Sequence, residues 1–342
     1  MRPVLMPPNI VDHFYRGGAR IAAFRGVPAP SERSPEEWLA ATVHVAGRPG
    51  DGPSRLADGT LFADLVAADP VGWTGVPDRR ADVGLLVKLL DAGQRLPVHV
   101  HPTRPFAHDH LHSCYGKTEA WHILEVEGDD PSVWVGFRTD VDPAELRKRV
   151  DAQDSAWLLD HMNKLPVRPG DGVLVPAGEA HATGAGVFLV EVQEPTDFSI
   201  LLEWSVTTAG REDSHLGLGF DAVFQTVNHQ ATAPGALAAL VRHVDPAATS
   251  RRLMRALPAA ADAYFRLDIA APAGGAPVAV PHGFAVAVVL SGTGTMSWGD
   301  NEAQTLRRGE IYAVPAGLGD WSVADSVRVA LCRPSDDWPD IS

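Results

Sequence analysis

The chain has few cysteines, few basic residues and no long apolar segment. Its two cysteines, Cys114 and Cys332, are too few for the disulfide framework of a small secreted domain. Lysine and arginine total 29 against 43 aspartates and glutamates, so a formal net charge of -14 disfavours nucleic acid and anionic membranes as partners. No uninterrupted apolar run approaches the length of a membrane span, and the first residues lack the apolar stretch of a signal peptide. We therefore expect a cytoplasmic protein that acts on a small molecule.

Glycine and proline divide the chain into short segments. The 32 glycines and 28 prolines separate runs rich in valine, leucine and alanine, which favours an all-β barrel or sandwich with a few helices. The clearest predicted strands are 84–90, 96–101, 119–127, 132–137, 172–176, 187–193 and 199–205. The predicted helices are 35–39, 61–68, 143–151 and 234–243. The length of 342 residues favours two domains.

Four side chains of the types that bind metals recur at strand spacing. His99 and His101 alternate in LPVHVHP, so they can share one face of a strand while the valines face the other way. Glu119 precedes the apolar run AWHIL, and His181 ends the segment GDGVLVPAGEAH, so each could reach the same centre from a neighbouring strand. Three imidazole nitrogens and one carboxylate suit zinc, and also iron, manganese or nickel. We predict that these four residues bind one divalent metal ion.

The segment that leads to His181 has a characteristic spacing. Gly170, Pro176, Gly178 and His181 form the pattern G-x5-P-x-G-x2-H, which resembles the second signature of the cupin barrel. A tight turn, a short buried strand and a second turn would direct His181 inward. The run GEIYAVPAG at 309–317 repeats the spacing of the first copy, so we expect two barrels.

The second copy of this pattern lacks the metal-binding residues. Asp320 stands at the histidine position, and the preceding run AVAVVL at 285–290 contains neither a histidine pair nor a glutamate. We expect this barrel to hold no metal and to pack against the first as a structural partner. The expected fold class is mainly β, with two cupin (jelly-roll) barrels and a few short helices. The predicted domains are a metal-binding cupin domain at 1–243, with an N-terminal extension and an inserted helix, and a degenerate cupin domain at 244–342.

Several motifs occur in the order typical of one enzyme family. LPVHVHP, then GKTEAW at 116–121, then the segment at 170–182 resemble successive blocks of the type I mannose-6-phosphate isomerases, particularly the short bacterial form. The segments 38–45, 54–61 and 85–92 run in the order of that family's entry segment. This resemblance covers most of the chain. It implies that zinc is bound by His99, His101, Glu119 and His181.

The resemblance also implies a reaction, the interconversion of mannose 6-phosphate and fructose 6-phosphate. Such an isomerase moves a proton between C1 and C2 through an enediol, so its site needs a base and an electrophile for the developing oxyanion. Zinc could polarise the sugar oxygens. Lys117 can share the face of Glu119 in an extended segment, where it could assist proton transfer or stabilise an anionic oxygen.

Recognition of an anionic sugar would need further cations. We predict that Arg104, just after the histidine pair, and Lys164 contact the phosphate. The family normally carries a catalytic arginine where this chain has Ile200, which can neither donate a hydrogen bond nor bear a charge. Arg211 is the candidate cation to replace it. Two alternatives therefore stay open: a metal-holding, sugar-binding cupin with little or no isomerase activity, and an isomerase of an unphosphorylated sugar.

A second run of histidines is a rival candidate for the metal site. His108, His110 and His112 also alternate, in AHDHLHS. No turn-and-strand pattern accompanies them, so we expect a mobile rim loop in which they could hydrogen-bond a sugar.

Overall fold

The structure is a computed structural model that describes residues 1–339, and these residues are mainly antiparallel β-structure. Their strands are β1 (Val4–Leu5), β2 (Ile10–Val11), β3 (Glu36–Leu39), β4 (Leu86–Asp91), β5 (His99–Val100), β6 (Glu119–Val126), β7 (Ser132–Phe137), β8 (Met162–Pro166), β9 (Asp171–Val175), β10 (His181–Thr183), β11 (Val187–Gln193), β12 (Ile200–Leu201), β13 (Val241–His243), β14 (Met254–Arg255), β15 (Phe265–Ala270), β16 (Val278–Val280), β17 (Ala285–Trp298), β18 (Glu302–Arg307), β19 (Ile311–Val314) and β20 (Trp321–Pro334). Their α-helices are α1 (Ala19–Arg25), α2 (Phe62–Ala68), α3 (Pro70–Thr74), α4 (Arg104–Leu111), α5 (Pro143–Asp151), α6 (Ser155–Asp160), α7 (Phe220–Val223) and α8 (Pro234–Ala239).

Most of the predicted elements are confirmed. Strands β7 and β11 have the predicted bounds, and α5 begins after Asp142, whose side chain accepts a hydrogen bond from the Glu145 amide. The predicted helix at 234–243 ends at Ala239, and its last residues form β13 instead, paired with β9.

One predicted helix is wrong, because residues 36–39 form strand β3. All four residues are buried, and β3 pairs with both β2 and β4. The pair Glu36 and Glu37 after a proline imitates the start of a helix. In the structure, these carboxylates are instead satisfied by buried cations, Lys88 at 3.1 Å from Glu36 and Arg25 at 2.9 Å from Glu37.

Two sheets enclose the first half of the core. A seven-stranded sheet has the order β13-β9-β6-β11-β4-β3-β2, and a five-stranded sheet has the order β12-β5-β10-β7-β8. Trp121 and Leu189 of the first sheet share an apolar cluster with Val133 and Val135 of the second. The outer face of the five-stranded sheet packs against α5 and α6.

The remaining strands form an eight-stranded sheet with the order β1-β19-β17-β20-β15-β14, in which β16 pairs with β20 and β18 with β17. Its apolar face packs on the outer face of the seven-stranded sheet, with Ile269 and Val286 in the same cluster as Val87 and Val190. This antiparallel architecture is of the cupin type. Strand β1 comes from the start of the chain but pairs with β19, so the division at residue 243 stays a prediction.

The two cysteines and the aspartate at the histidine position of the second copy lie outside the metal cluster. Cys114 and Cys332 are both free thiols. Asp320, at the histidine position of the second copy, is exposed and lies 3.2 Å from His282. Among residues 1–339, there is no helix with the length and apolar character that crossing a bilayer requires.

Candidate metal centre

The structure brings the four predicted ligands together. His99 lies on β5, His101 directly follows it, Glu119 begins β6 and His181 begins β10. All four are buried, and their ligand atoms lie within 4.8 Å of one another. His181 is the direct cross-strand neighbour of His99, and their ring centroids are 4.0 Å apart.

Strand alternation and one turn explain this convergence. Val98 and Val100 point into the apolar cluster under the helices, so His99 and His101 point to the opposite face. The turn before His181 contains Gly178 at φ 89°, a conformation that L-residues with a side chain rarely adopt. The Gly178 amide donates a hydrogen bond to the His101 carbonyl at 2.8 Å, which fixes the turn against the histidine strand.

Each histidine uses its Nδ1 atom for the fold. Nδ1 lies 2.8 Å from a backbone carbonyl in all three, and as the donor it leaves Nε2 as the free acceptor. Metal-binding histidines in proteins are held by this kind of contact. The partners are the carbonyls of Pro97 for His99, Phe198 for His101 and Glu179 for His181.

Two of the three Nε2 atoms lie close to the Glu119 carboxylate. His101 Nε2 lies 2.8 Å from Glu119 Oε2, and His181 Nε2 lies 3.4 Å from Glu119 Oε1. Nε2 of His181 is buried without a hydrogen-bond partner in the described residues. Lone pairs this close to a carboxylate are unfavourable unless a cation lies among them. The donor set therefore fits a divalent metal ion.

Burial and nearby charges keep the ligands in the protonation states that a metal needs. Burial, with the neighbouring histidines, lowers the pKa of His99 well below its usual value. Burial and the Lys117 charge lower the pKa of His101 to about 3. Burial alone would raise the pKa of Glu119, but Lys117 holds it well below its usual value. Neutral imidazoles and an ionised carboxylate can bind a metal without first losing a proton.

Lys117 supplies a positive charge at this cluster. Its Nζ donates hydrogen bonds to His101 Nε2 at 2.8 Å and to Glu119 Oε2 at 3.1 Å. A metal ion bound by the same two atoms would take the lone pairs that the ammonium uses, and the two positive charges would repel. Metal binding therefore requires Lys117 Nζ to leave these atoms.

The cavity beside the cluster is lined by charged residues that the sequence analysis missed. Lys88 is buried, and its Nζ lies 3.1 Å from Glu36, 3.5 Å from Glu191 and 3.8 Å from Asp197. Burial would lower the pKa of Lys88, but the three carboxylates raise it above its usual value. Lys88 is therefore a fixed cation within the cavity wall.

Glu191 links this charged group to the metal ligands. Trp121 Nε1 donates to Glu119 Oε1 at 3.1 Å and to Glu191 Oε2 at 3.3 Å. Burial and the charge of Glu119 raise the pKa of Glu191 to about 7, against the opposing effect of Lys88. A carboxyl group with this pKa can both take up and release a proton near neutral pH.

A sequence signal for these residues existed. Lys88 interrupts the buried strand LVKLLD, and Glu191 interrupts the buried strand VFLVEVQ. Because lysine and glutamate are rarely buried without a partner, a charge inside an apolar strand points to a paired group.

The cations predicted to act on the substrate form salt bridges of their own. Arg104, Lys164 and Arg211 each pair with a carboxylate that is not a predicted metal ligand. Within residues 1–339, the side chains that border the metal cavity do not include them. Lys164 lies on the edge strand β8, and Arg211 precedes a short 3-10 helix. The contact of these three residues with a substrate stays a prediction.

Ile200 does not face the metal cavity. Its neighbours Ser199 and Leu201 line the cavity, whereas Ile200 packs with Val98 and Val100 in the opposite apolar cluster. The interpretation of Ile200 as the position of a missing site arginine is wrong. Because alternate residues of a strand face opposite sides, the side chain at 200 points away from the site. An arginine side chain at 200 would be buried in the apolar core.

The rival histidine run is also placed differently from the expectation. His108 and His110 lie on helix α4 rather than in a loop, and His112 is its C-cap. His108 is mostly exposed and contacts Asp109. Thr103 caps the helix by accepting a hydrogen bond from the Phe106 amide, a signal that was present in the sequence.

A second cavity of about 360 Å³, the outer chamber, borders the metal cavity. The two spaces share five lining residues, among them His13, Asp197 and Ser199. Arg48 is the one cation that is positively charged at neutral pH among the residues described as lining the chamber. It donates to the Asp12 carbonyl at 2.7 Å and lies 3.1 Å from Asp51.

Comparison with known proteins gives several relatives that are named as mannose-6-phosphate isomerases. GmuF of Bacillus subtilis, a probable mannose-6-phosphate isomerase, is 33% identical over 196 residues, which are 57% of this chain and 59% of GmuF. The match thus spans less than two thirds of that relative. YvyI of the same species, provisionally named a mannose-6-phosphate isomerase, is 26% identical over 325 residues, 94% of this chain and 95% of YvyI. No protein-family model matches the chain.

Solved structures agree over nearly the whole length. The crystal structure of the mannose 6-phosphate isomerase from Bacillus subtilis matches with a TM-score of 0.74 and 22% identity. The match covers 97% of this chain and 100% of the Bacillus subtilis chain. A mannose 6-phosphate isomerase bound with zinc and yttrium has a TM-score of 0.69 and 14% identity, covering 98% and 100%. These likenesses show the fold. Together with the curated relatives, they make the chain similar to the type I mannose-6-phosphate isomerases.

Proposed function

We propose that the chain is a zinc-dependent aldose–ketose isomerase that interconverts mannose 6-phosphate and fructose 6-phosphate. One observation carries this proposal: three Nε2 atoms with fixed Nδ1 partners and one ionised carboxylate converge where a cavity begins. The relatives named as mannose-6-phosphate isomerases supply the substrate pair. When bound, zinc would act as a Lewis acid that polarises the sugar oxygens.

We assign proton transfer to Glu191. Its carboxyl lines the same cavity as Glu119, and its pKa is raised to about 7, first by burial. It can take a proton from one carbon of the sugar and return it to the next, through an enediol. Lys117 and Lys88 also line the cavity, and their ammonium groups would stabilise the negative charge that develops on the sugar oxygen.

We assign the phosphate to Arg48 in the outer chamber. A sugar whose reacting carbons lie at the metal would extend toward this chamber, which shares lining residues with the metal cavity. A guanidinium binds a phosphate through two parallel hydrogen bonds, which favours Arg48 over the exposed lysines. Phosphate would have to compete with the Asp51 carboxylate for it.

The test is a coupled assay of fructose 6-phosphate formation by the zinc-loaded protein. We expect turnover of mannose 6-phosphate and a KM at least tenfold higher for Arg48→Ala. Arg55→Ala is the matched control, because Arg55 is exposed and donates to the Gly59 carbonyl. Unchanged KM in Arg48→Ala would remove that assignment, and no product from any phosphorylated sugar would overturn the proposal.

One observation favours a second candidate, an isomerase of an unphosphorylated sugar. The outer chamber is lined by Asp12, Asp197 and Asp213, so Arg48 stands against three carboxylates. Such a wall repels a dianionic phosphate and can hydrogen-bond sugar hydroxyl groups. A panel of free aldoses in the same assay separates the two candidates. If no sugar gives a product, the result would instead favour a sugar-binding protein without turnover.

A further inference from the structure

A cavity of about 270 Å³ lies between the seven-stranded and the eight-stranded sheets. Strands β6 and β11 form one wall, β17 and β20 form the other, and Phe24 of α1 and Pro246 border it. No residue lining this cavity also lines the metal cavity among the described residues. It is therefore a separate space.

Both sheets are irregular where they border this cavity. The pairing of β6 with β11 skips Leu124, and the pairing of β17 with β20 skips Leu290. Each is a β-bulge, which bends its strand and re-aims the nearby side chains. Leu124 and Leu290 both line the cavity, so the two bulges face the same opening from opposite sheets.

Two arginines that form no salt bridge within the described residues line the cavity. Neither Arg308 nor Arg328 forms a salt bridge with any residue in 1–339, although the chain has a formal net charge of -14. Arg328 donates to two backbone carbonyls at 2.9 and 3.3 Å, and Arg308 lies over the Phe24 ring. Glu125, which is exposed, is the one carboxylate in the lining.

The buried side chain of His122 adds an unsatisfied polar atom. His122 is 2% exposed, and its Nδ1 has no hydrogen-bond partner within the described part of the chain. Burial and the charge of Arg328 lower the pKa of His122 to about 4, so the imidazole is neutral. A buried polar atom without a partner costs free energy, which a ligand in the cavity would recover.

We propose that this cavity binds a small anionic metabolite, whose phosphate or carboxylate group contacts Arg308 and Arg328 beside His122. The arginine forks suit either oxyanion, and the apolar bulge residues would cover the rest of the ligand. His122 lies on the opposite face of β6 from the metal ligand Glu119. An occupant would thus contact the strand that carries Glu119 and join the two sheets.

The test is calorimetric titration of the zinc-loaded Arg48→Ala protein with inorganic phosphate and, separately, with succinate, which does not strip the zinc. The Arg48→Ala background removes the anion contact assigned to the outer chamber, and the Arg308 variant below tells binding in this cavity apart from binding at the metal centre, so this test and the isomerase test fail independently. Tighter binding of phosphate would identify a phosphate ester as the ligand class, and tighter binding of succinate a carboxylate. We expect added Arg308→Gln to weaken binding at least tenfold.

The matched control is Arg307→Gln, which makes the same charge change one residue away. Arg307 is exposed and lies 3.6 Å from Glu310, outside the cavity lining. Binding should stay within twofold of the background in this variant. His122→Leu provides a second variant that keeps the charge but removes the polar atom, and it should weaken binding at least threefold. Absence of binding by both probes, or equal losses in the Arg307 and Arg308 variants, would overturn the proposal.

Discussion

At the scale of single residues, each imidazole of the metal cluster divides its two nitrogens between the fold and the ligand. The backbone carbonyl at Nδ1 fixes the ring, so Nε2 stays aimed at the centre. His181 is fully buried, and its Nε2 has no other use in the described structure. This Nε2 atom is therefore available to a metal ion.

We predict that His181→Ala weakens metal binding by more than about tenfold. Substitution of a residue that only orients a ligand can already cause a loss of about tenfold, and His181 is predicted to be a ligand itself. The wild-type chain should hold about one divalent ion. His282→Ala is the control, because His282 is exposed in the eight-stranded sheet region and is no ligand. Elemental analysis and chelator competition measure the effect. Full occupancy in His181→Ala would contradict the site.

A second residue-scale prediction concerns Glu191. Glu191→Gln cannot exchange a proton, so kcat for the isomerisation should fall by about 10²–10⁴-fold. Metal content should not change, because Glu191 is not a ligand. Glu127→Gln, which alters an exposed carboxylate after the end of β6, is the control. A kcat within threefold of wild type would assign proton transfer to another group, with Lys117 the first candidate.

The metal ligands and Lys117 could be read from the sequence, whereas the roles of Lys88 and Glu191 could not. His99 and His101 were predictable because alternation in a strand is a local property. Lys88 acquires its role only when β3, β4 and β11 bring three carboxylates around its ammonium group. The pairing of strands that are distant in the chain cannot be read from the local sequence pattern. The one local sign of it here is a charged residue inside an apolar run.

At the scale of elements, β9 depends on close backbone contact. A Cβ atom at Gly172 would lie 2.0 Å from the Ala256 carbonyl oxygen, and Gly172 pairs with His122 in the sheet. The glycine thus lets the chain near 256 pass directly over β9. The spacing of the motif around Gly170 was predictable from the sequence. The need for glycine at 172 was not, because it arises from contact with a segment about eighty residues later in the chain.

We predict that Gly172→Ala destabilises the protein by roughly 1–3 kcal/mol through overpacking. Gly235→Ala is the matched control. A Cβ atom there meets nothing within 4 Å, and Gly235 lies in helix α8, so alanine should stabilise by about 0.5–1 kcal/mol. Urea unfolding of the metal-loaded proteins measures both changes. Equal changes in the free energy of unfolding for the two substitutions would show that backbone entropy, and not the contact with Ala256, determines the effect of Gly172→Ala.

At the scale of the whole molecule, the buried pair of Arg25 and Glu37 links the sheets. Arg25 Nε lies 2.9 Å from Glu37 Oε1 of β3, and its guanidinium also donates to the carbonyls of Met6 and Gly309. One side chain therefore contacts the seven-stranded sheet, the chain start and a turn of the eight-stranded sheet. Repeated motifs predicted two barrels, but they carried no information about how the sheets are joined.

This pair predicts a pH-dependent contribution to stability. Burial raises the pKa of Glu37 from 4.5 to about 7, although Arg25 opposes the shift. The folded protein therefore binds more protons at this site than the unfolded chain between those two pH values. The contribution of Glu37 to the free energy of unfolding is complete below pH 4.5 and is lost as the pH rises through about 7.

Comparison with Glu37→Gln isolates this effect, because glutamine does not titrate and all other groups are shared. The stability of wild type relative to Glu37→Gln should fall by up to about 3 kcal/mol between pH 5 and about 8, measured by urea unfolding at equal metal occupancy. A difference that stays constant with pH would mean that Arg25 keeps the Glu37 carboxyl ionised throughout. The sheets would then be joined by two full charges, and removing either one should cost more than removing both.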